Sequence, residues 1–136
     1  MTPGRVVLLV IVLCGIGSQT ARAHHWISAE FDVRARITVR GVLVKVEWLN
    51  PHIRYTVSAR KPDGRLVLWS FLGGAPGQLM RQGVDKAQLV VGAAVTVEGF
   101  QGRDGAHVGF GGAVTYDDGR RVLTAVTGTG QAVIDR

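Results

Sequence analysis

The sequence predicts a mainly β fold: a small closed antiparallel barrel with one short helix. Three observations point there. Apolar and polar residues alternate with a period of two along several short stretches, the pattern of half-buried strands. Turn signals rich in Gly, Pro and Asp separate those stretches. A single helical segment lies between the third and fourth of them. The chain has 136 residues and is 46% hydrophobic, enough for one globular domain and too apolar for wholesale disorder.

The first strand is read over Arg36 to Trp48. Ile37 and Val39 alternate with Arg36, Thr38 and Arg40. After Gly41 the phase changes, so that Val42, Val44, Val46 and Trp48 share a face. A slip of one residue at a glycine predicts a β-bulge there, which would help a small sheet curl and close. Asn50-Pro51 ends the strand. The second strand, Ile53 to Arg60, and the third, Leu66 to Leu72, form a hairpin around Pro62-Asp63-Gly64. The third is apolar on both sides. Gly73-Gly74 breaks the pattern, and Ala75 to Gln82 reads as a short helix with Pro76 in its first turn and Gly83 as its cap. Asp85 to Leu89 reads as a further helical turn. Val95 to Phe100 is a fourth strand and His107 to Tyr116 a fifth, thinned by Gly109, Gly111 and Gly112. Arg121 to Val126 is a short sixth. Three strands, a helix, then two or three strands is the order of a five-stranded Greek-key barrel of OB type. Thr127 to Arg136 shows little periodicity and is expected to be a flexible tail, which leaves residues 24–126 as the barrel domain.

Residues 1–23 read as a signal peptide. Arg5 supplies a positive start, Val6 to Leu13 an unbroken apolar run, and Ala21-Arg22-Ala23 a small-residue cleavage site. The run is short of the about 20 residues that a membrane-spanning helix needs. Cleavage after Ala23 would give a periplasmic or secreted chain beginning at His24, with no stable membrane span. It would also remove Cys14, the only cysteine. A lipoprotein signal needs a small residue before its cysteine, and here Leu13 stands there. The formal charge of +6 invites a nucleic-acid partner, but Arg5 and Arg22 leave with the leader, and export argues against such a partner.

Several strings together resemble a domain-of-unknown-function family of small exported bacterial proteins. They are His24-His25-Trp26-Ile27, Glu30-Phe31-Asp32, the run Val44 to His52 with its Glu-Trp-X-Asn-Pro-His string, Gly73-Gly74-Ala75-Pro76, Val95 to Phe100, and Asp118-Gly119-Arg120. The resemblance covers nearly the whole mature chain. It implies an export signal, a double histidine near the mature start and an OB-like barrel, and it carries no established activity. Family members usually have Ser then Phe after the double histidine, where this chain has Trp26 and Ile27.

The sharpest candidate chemistry lies at the new N-terminus. There the free amine and the ring of His24 would chelate one metal ion. A planar nitrogen set of that kind suits Cu(II), and the amine's ordinary pKa of about 8 makes its proton easy to displace. A third nitrogen would come from His25, His52 or His107. The competing reading is two solvated, unused histidines. Asn50 and His52, in the turn after the first strand, are weaker ligand-binding candidates at a loop that OB barrels often use. Their structural alternative is a turn that Asn50 bonds and Pro51 stiffens. His107 flanks another loop. Trp48, Trp69, Tyr55 and Phe71 would either stack a ligand or, as the default, fill the barrel. Arg34, Arg36, Arg40, Arg54 and Arg60 read as a solvated outer face. No Gly-X-Ser-X-Gly, His-Glu-X-X-His or phosphate loop is present, so no enzyme is expected. The leading expectation is therefore a periplasmic OB-like binding protein, with copper as its possible metal at His24, His25 and His52. The alternative is an envelope interaction module that binds a protein or glycan through the barrel face and the Asn50-Pro51-His52 loop. An enzyme using copper at His24, or His52 for hydrolysis, is least favoured.

Overall fold

The computed structural model describes residues 27–135. The expected leader, His24, His25 and Trp26 lie outside them. Residues 27–30 are helical. They lead into β1 (Phe31–Glu47), β2 (Arg54–Arg60), β3 (Leu66–Leu72), α1 (Pro76–Arg81), β4 (Ala94–Gly102), β5 (Val108–Tyr116) and β6 (Arg121–Leu123). Short 3-10 turns cover Lys86–Gln88 and Val133–Asp135.

The strand order is β3-β2-β1-β4-β5-β6, and β3 also pairs with β5. That extra pairing closes a ring of hydrogen bonds through β1, β2, β3, β5 and β4, as the OB-like order requires. Every pairing but one is antiparallel. The closing one is parallel and short, joining Ser70–Leu72 to Val108–Phe110. Inside the ring, Leu43, Tyr55, Val57, Phe71, Val95, Val97 and Val114 are fully buried. Alternation puts them there, since each strand sends every second side chain inward.

The bulge is present but sits three residues beyond Gly41. Leu43 pairs with Val57 and Lys45 with Thr56, so Val44 is the extra residue. Val39 and Leu43 point in, while Val42 and Val44 are exposed. The phase reading failed because Leu43 and Val44 are both apolar, so the pattern did not show which of them the strand turned outward. β1 also starts earlier than its alternation indicates. Phe31 and Asp32 already pair with β4, and the register then jumps to Arg36.

The tail is packed rather than frayed. Val126 bridges to Ala132, Val133 N–H donates to the Ala125 carbonyl, and Ala132 and Ile134 are buried. They complete a second apolar cluster with Phe31, Phe100, Phe110, Ala113 and Ala125. The glycines of β5 make this possible: a Cβ on Gly112 would lie 2.7 Å from the Ile134 Cβ. The segment lacks periodicity because it reaches the core through a turn, not as a strand or helix.

Candidate functional site

The register places the outward side chains of β1, β2 and β3 in rows. Gly41 pairs with Ala59 and Val42 with Ser58; Ser58 pairs in turn with Leu68, and Arg60 with Leu66. One row therefore reads Arg40, Arg60, Leu66, and the next Val42, Ser58, Leu68. Leu66 and Leu68 are 60% and 63% exposed, and Val42 is also exposed. An open cleft of about 490 Å³ lies over these rows, lined by Arg40, Gly41, Val42, Ser58, Arg60 and Leu66. Both arginines are oriented by contacts at its rim. Arg40 pairs with Asp117 at 3.1 Å, and Arg60 donates to the Gly64 carbonyl at 2.7 Å. The face thus joins an apolar floor to two neighbouring guanidinium groups. Like charges on adjacent strands repel, so an anionic group between them would relieve the pair.

The loop between β1 and β2 borders the opposite end of this sheet. Asn50 is exposed. The Asn50-Pro51 peptide is cis. His52 is half-buried, and its Nδ1 lies 3.1 Å from the Gly73 carbonyl oxygen. A carbonyl only accepts, so Nδ1 carries the proton and a neutral ring keeps its lone pair on Nε2. Ile53 and Gly73 extend this contact through the backbone, with Gly73 N–H donating to the Ile53 carbonyl and Ile53 N–H to the Gly74 carbonyl. The loop is therefore tied to the end of β3 by residues about twenty positions away. Sequence reading found the histidine but had no signal for its partner.

The aromatic residues are largely spent on the core. Tyr55 and Phe71 are fully buried and stacked 5.5 Å apart, and Trp69 stacks on Phe71 at 5.8 Å. Trp48 and Trp69 are half-buried against the same cluster. Burial pushes the Tyr55 phenol well above its ordinary pKa. Among the described residues, Trp48 and Trp69 pack against the core rather than standing free as a platform for a sugar. His107 is exposed and meets Trp69 edge-on at 5.1 Å. It stands in the β4–β5 loop beside Ser70, whereas His52 lies beside Gly73, beyond the end of β3. Among the described residues, no group of three or more His, Cys, Asp and Glu is placed to hold a metal. His24 and His25, the first two ligands expected from sequence, lie outside the described residues.

The arginine face is less uniform than its alternation suggests. Arg36, though exposed, is held against the tail: it donates to the Ile134 carbonyl and lies over the Phe100 ring. Sequence reading missed the exposure of Leu66 and Leu68, because a strand apolar on both sides shows no outward face.

Residues 11–111 match a family of unknown function, DUF6152. The chain belongs to this family. No curated protein and no solved structure matches it. The family carries no assigned catalytic activity, and no enzyme signature occurs in this member. Among the described residues, no helix is long and apolar enough to cross a membrane.

Proposed function

We propose that this protein is an exported envelope module that binds a protein partner through the outer face of β1, β2 and β3. The observation that carries the reading is the exposed row of Val42, Ser58 and Leu68 beside Arg40, Arg60 and Leu66. Contiguous exposed apolar side chains beside fixed charges are how interaction surfaces differ from ordinary surface. Two arginines on the rim select a partner whose matching segment mixes acidic and apolar side chains. Export is supported by the charged start, apolar run and small-residue site of residues 1–23.

Site-specific photocrosslinking in the native host tests this. A photoreactive residue at Ser58 or Val42, on the outer face and away from the edge of β3, is expected to give one discrete adduct, larger than a self-dimer. The adduct should vanish with Arg40→Glu/Arg60→Glu. Val91, which is exposed on the loop before β4, should give none. Equal labelling at all three positions, or none at any, would overturn the reading. Mass spectrometry of the processed protein tests export, with a start at His24 expected.

One observation favours a second role. The Nδ1–H of His52 donates to a backbone carbonyl, the arrangement that orients metal-binding imidazoles through Nε2. In this reading His24, with its free amine, and His25 join His52 around Cu(II). Copper titration of wild type and His24→Ala tests it: equal affinity in both would exclude the site.

A further inference from the structure

The ring is not closed along its whole height. β3 pairs with β5 only from Ser70 to Leu72. Ser70 N–H donates to the His107 carbonyl, so the backbone groups of Ser70 face away from β2. Strand geometry then turns the N–H and C=O of Leu68 and Leu66 the same way. Val67 and Trp69 face β2 instead. Beyond Ser70, β5 has not yet begun, and among the described residues no backbone group meets Leu66 or Leu68 on that side. Leu68 is the most exposed large apolar side chain among the described residues, and Leu66 is nearly as exposed. An open strand edge with outward leucines is a template for another strand.

We infer that this edge pairs with the same edge of a second copy of the chain, antiparallel, with Leu66 opposite Leu68 of the other copy. The occupant follows from self-complementarity. Only this register uses both open residues of each copy, because moving it in one direction requires Ser70, which His107 already occupies. A twofold axis then passes beside Val67, and each Leu66–Leu68 pair forms two backbone hydrogen bonds. The four leucines pack side by side across the axis, on the outer face.

The charges at the ends agree. In this register the Pro62-Asp63-Gly64 turn of one copy meets the β4–β5 loop of the other. The turn carries Lys61, Asp63 and Arg65, and the loop carries Arg103 and Asp104. Asp104 therefore meets a cationic turn, and Arg103 has Asp63 to face, so each loop charge finds an opposite charge across the interface. Arg65 also comes alongside Trp69 of the second copy, where a guanidinium and an indole attract. The dimer makes β1, β2 and β3 of both copies one continuous outer surface. The inference does not rest on the partner reading above: it uses the open backbone edge at Leu66 and Leu68, and leaves Val42, Ser58, Arg40 and Arg60 to the partner.

Sedimentation velocity of the purified protein, from dilute to millimolar concentration, is the first measurement. The apparent mass is expected to rise toward twice the monomer value. Leu68→Pro removes the open N–H without touching a bond to β2, and should weaken association at least about tenfold. If Leu68→Pro fails to fold by circular dichroism, Leu68→Lys serves, because it leaves the backbone alone and puts like charges across the axis. The register is read by Cys14→Ser/Val67→Cys. Residues facing each other in a non-hydrogen-bonded pair lie about 4.5 Å apart at Cα, within disulfide range. A disulfide-linked dimer is expected under mild oxidation, and Ser58→Cys in the same background should give none. A monomer at every concentration overturns the inference. So does a dimer that survives both Leu68 variants, or one that Val67→Cys does not cross-link.

Discussion

The Tyr55 hydroxyl lies 2.9 Å from Thr124 Oγ1, and both side chains are fully buried. Thr124 spends its own proton on the Gly111 carbonyl, also at 2.9 Å, so Tyr55 must be the donor to Thr124. A strand at one side of the ring is thereby fastened to the chain that follows β6. The fit is close: a Cβ on Gly111 would fall 1.8 Å from the Tyr55 hydroxyl oxygen. Removing either end should be unequal in cost. Tyr55→Phe deletes a donor whose acceptor still has its other bond, and should cost about 1 kcal/mol. Thr124→Val leaves the Tyr55 hydroxyl buried without an acceptor, and should cost about 2 kcal/mol or more. Urea unfolding of both variants checks the order. Equal losses would show that Tyr55 finds another acceptor.

Gly41 marks a second close approach. A Cβ there would lie 2.3 Å from the Ser58 carbonyl oxygen and 2.7 Å from a Val57 methyl. Both obstacles belong to β2, and a backbone carbonyl in a ladder cannot step aside. Gly41→Ala should therefore force β1 and β2 apart and cost about 3 kcal/mol, at the upper end for overpacking. Val42→Ala, next door and facing solvent, should change stability by about 0.5 kcal/mol or less. Thermal melts of the two variants make the comparison. A Gly41→Ala protein as stable as Val42→Ala would mean that the approach is not tight.

The sequence made legible whatever depended on neighbours along the chain. β3 begins and ends where its alternation and the Pro62-Asp63-Gly64 turn place it, and α1 lies within the expected Ala75 to Gln82, with the proline in its first turn. The bulge was legible as an event but not in position, since Gly41 and Val44 both interrupt the pattern. What stayed hidden depends on contacts distant in sequence. The Gly73 carbonyl that orients His52 lies 21 residues away. The burial of Ile134 needs the missing side chain of Gly112. The exposure of Leu68 depends on where β5 begins, which no local feature of β3 encodes. The proposed outer face was legible as a row of arginines, but not as the apolar row beside it.

His52 offers a way to separate a structural histidine from a ligand. The side-chain amide nitrogen of asparagine occupies roughly the place of Nδ1, so His52→Asn keeps the donor to Gly73 and loses Nε2. His52→Ala loses both. The asparagine variant should melt close to wild type, while the alanine variant should be about 1 kcal/mol less stable. If the copper reading holds, both variants lose copper affinity alike, because both lack Nε2. Copper binding retained by His52→Asn would remove His52 from the ligand set and leave it a role in the turn alone.

Arg121 holds the packed tail in place. It donates two hydrogen bonds to the Asp135 carboxylate, the shorter at 3.0 Å, and its Nη2 lies 3.5 Å from the Glu98 carboxylate. The bond from Arg121 lowers the Asp135 pKa below its ordinary 3.8. The folded tail therefore takes up its proton later than an unfolded chain would. Its contribution is fully present above the ordinary carboxylate range and is lost as pH falls through the lowered folded value. Asp135 is exposed, so the effect is modest and weakened by salt. Hydrogen exchange at the Val133 and Asp135 amides, which donate to Ala125 and Ala132, reads it directly. At neutral pH, Arg121→Ala should exchange there about threefold to tenfold faster than wild type, while the amides of β2 stay unchanged. Once the pH is below the lowered folded value, the two proteins should exchange alike at these amides, because the carboxyl is then protonated in both. A difference that persists in acid would show that Arg121 secures the tail through its packing rather than its charge.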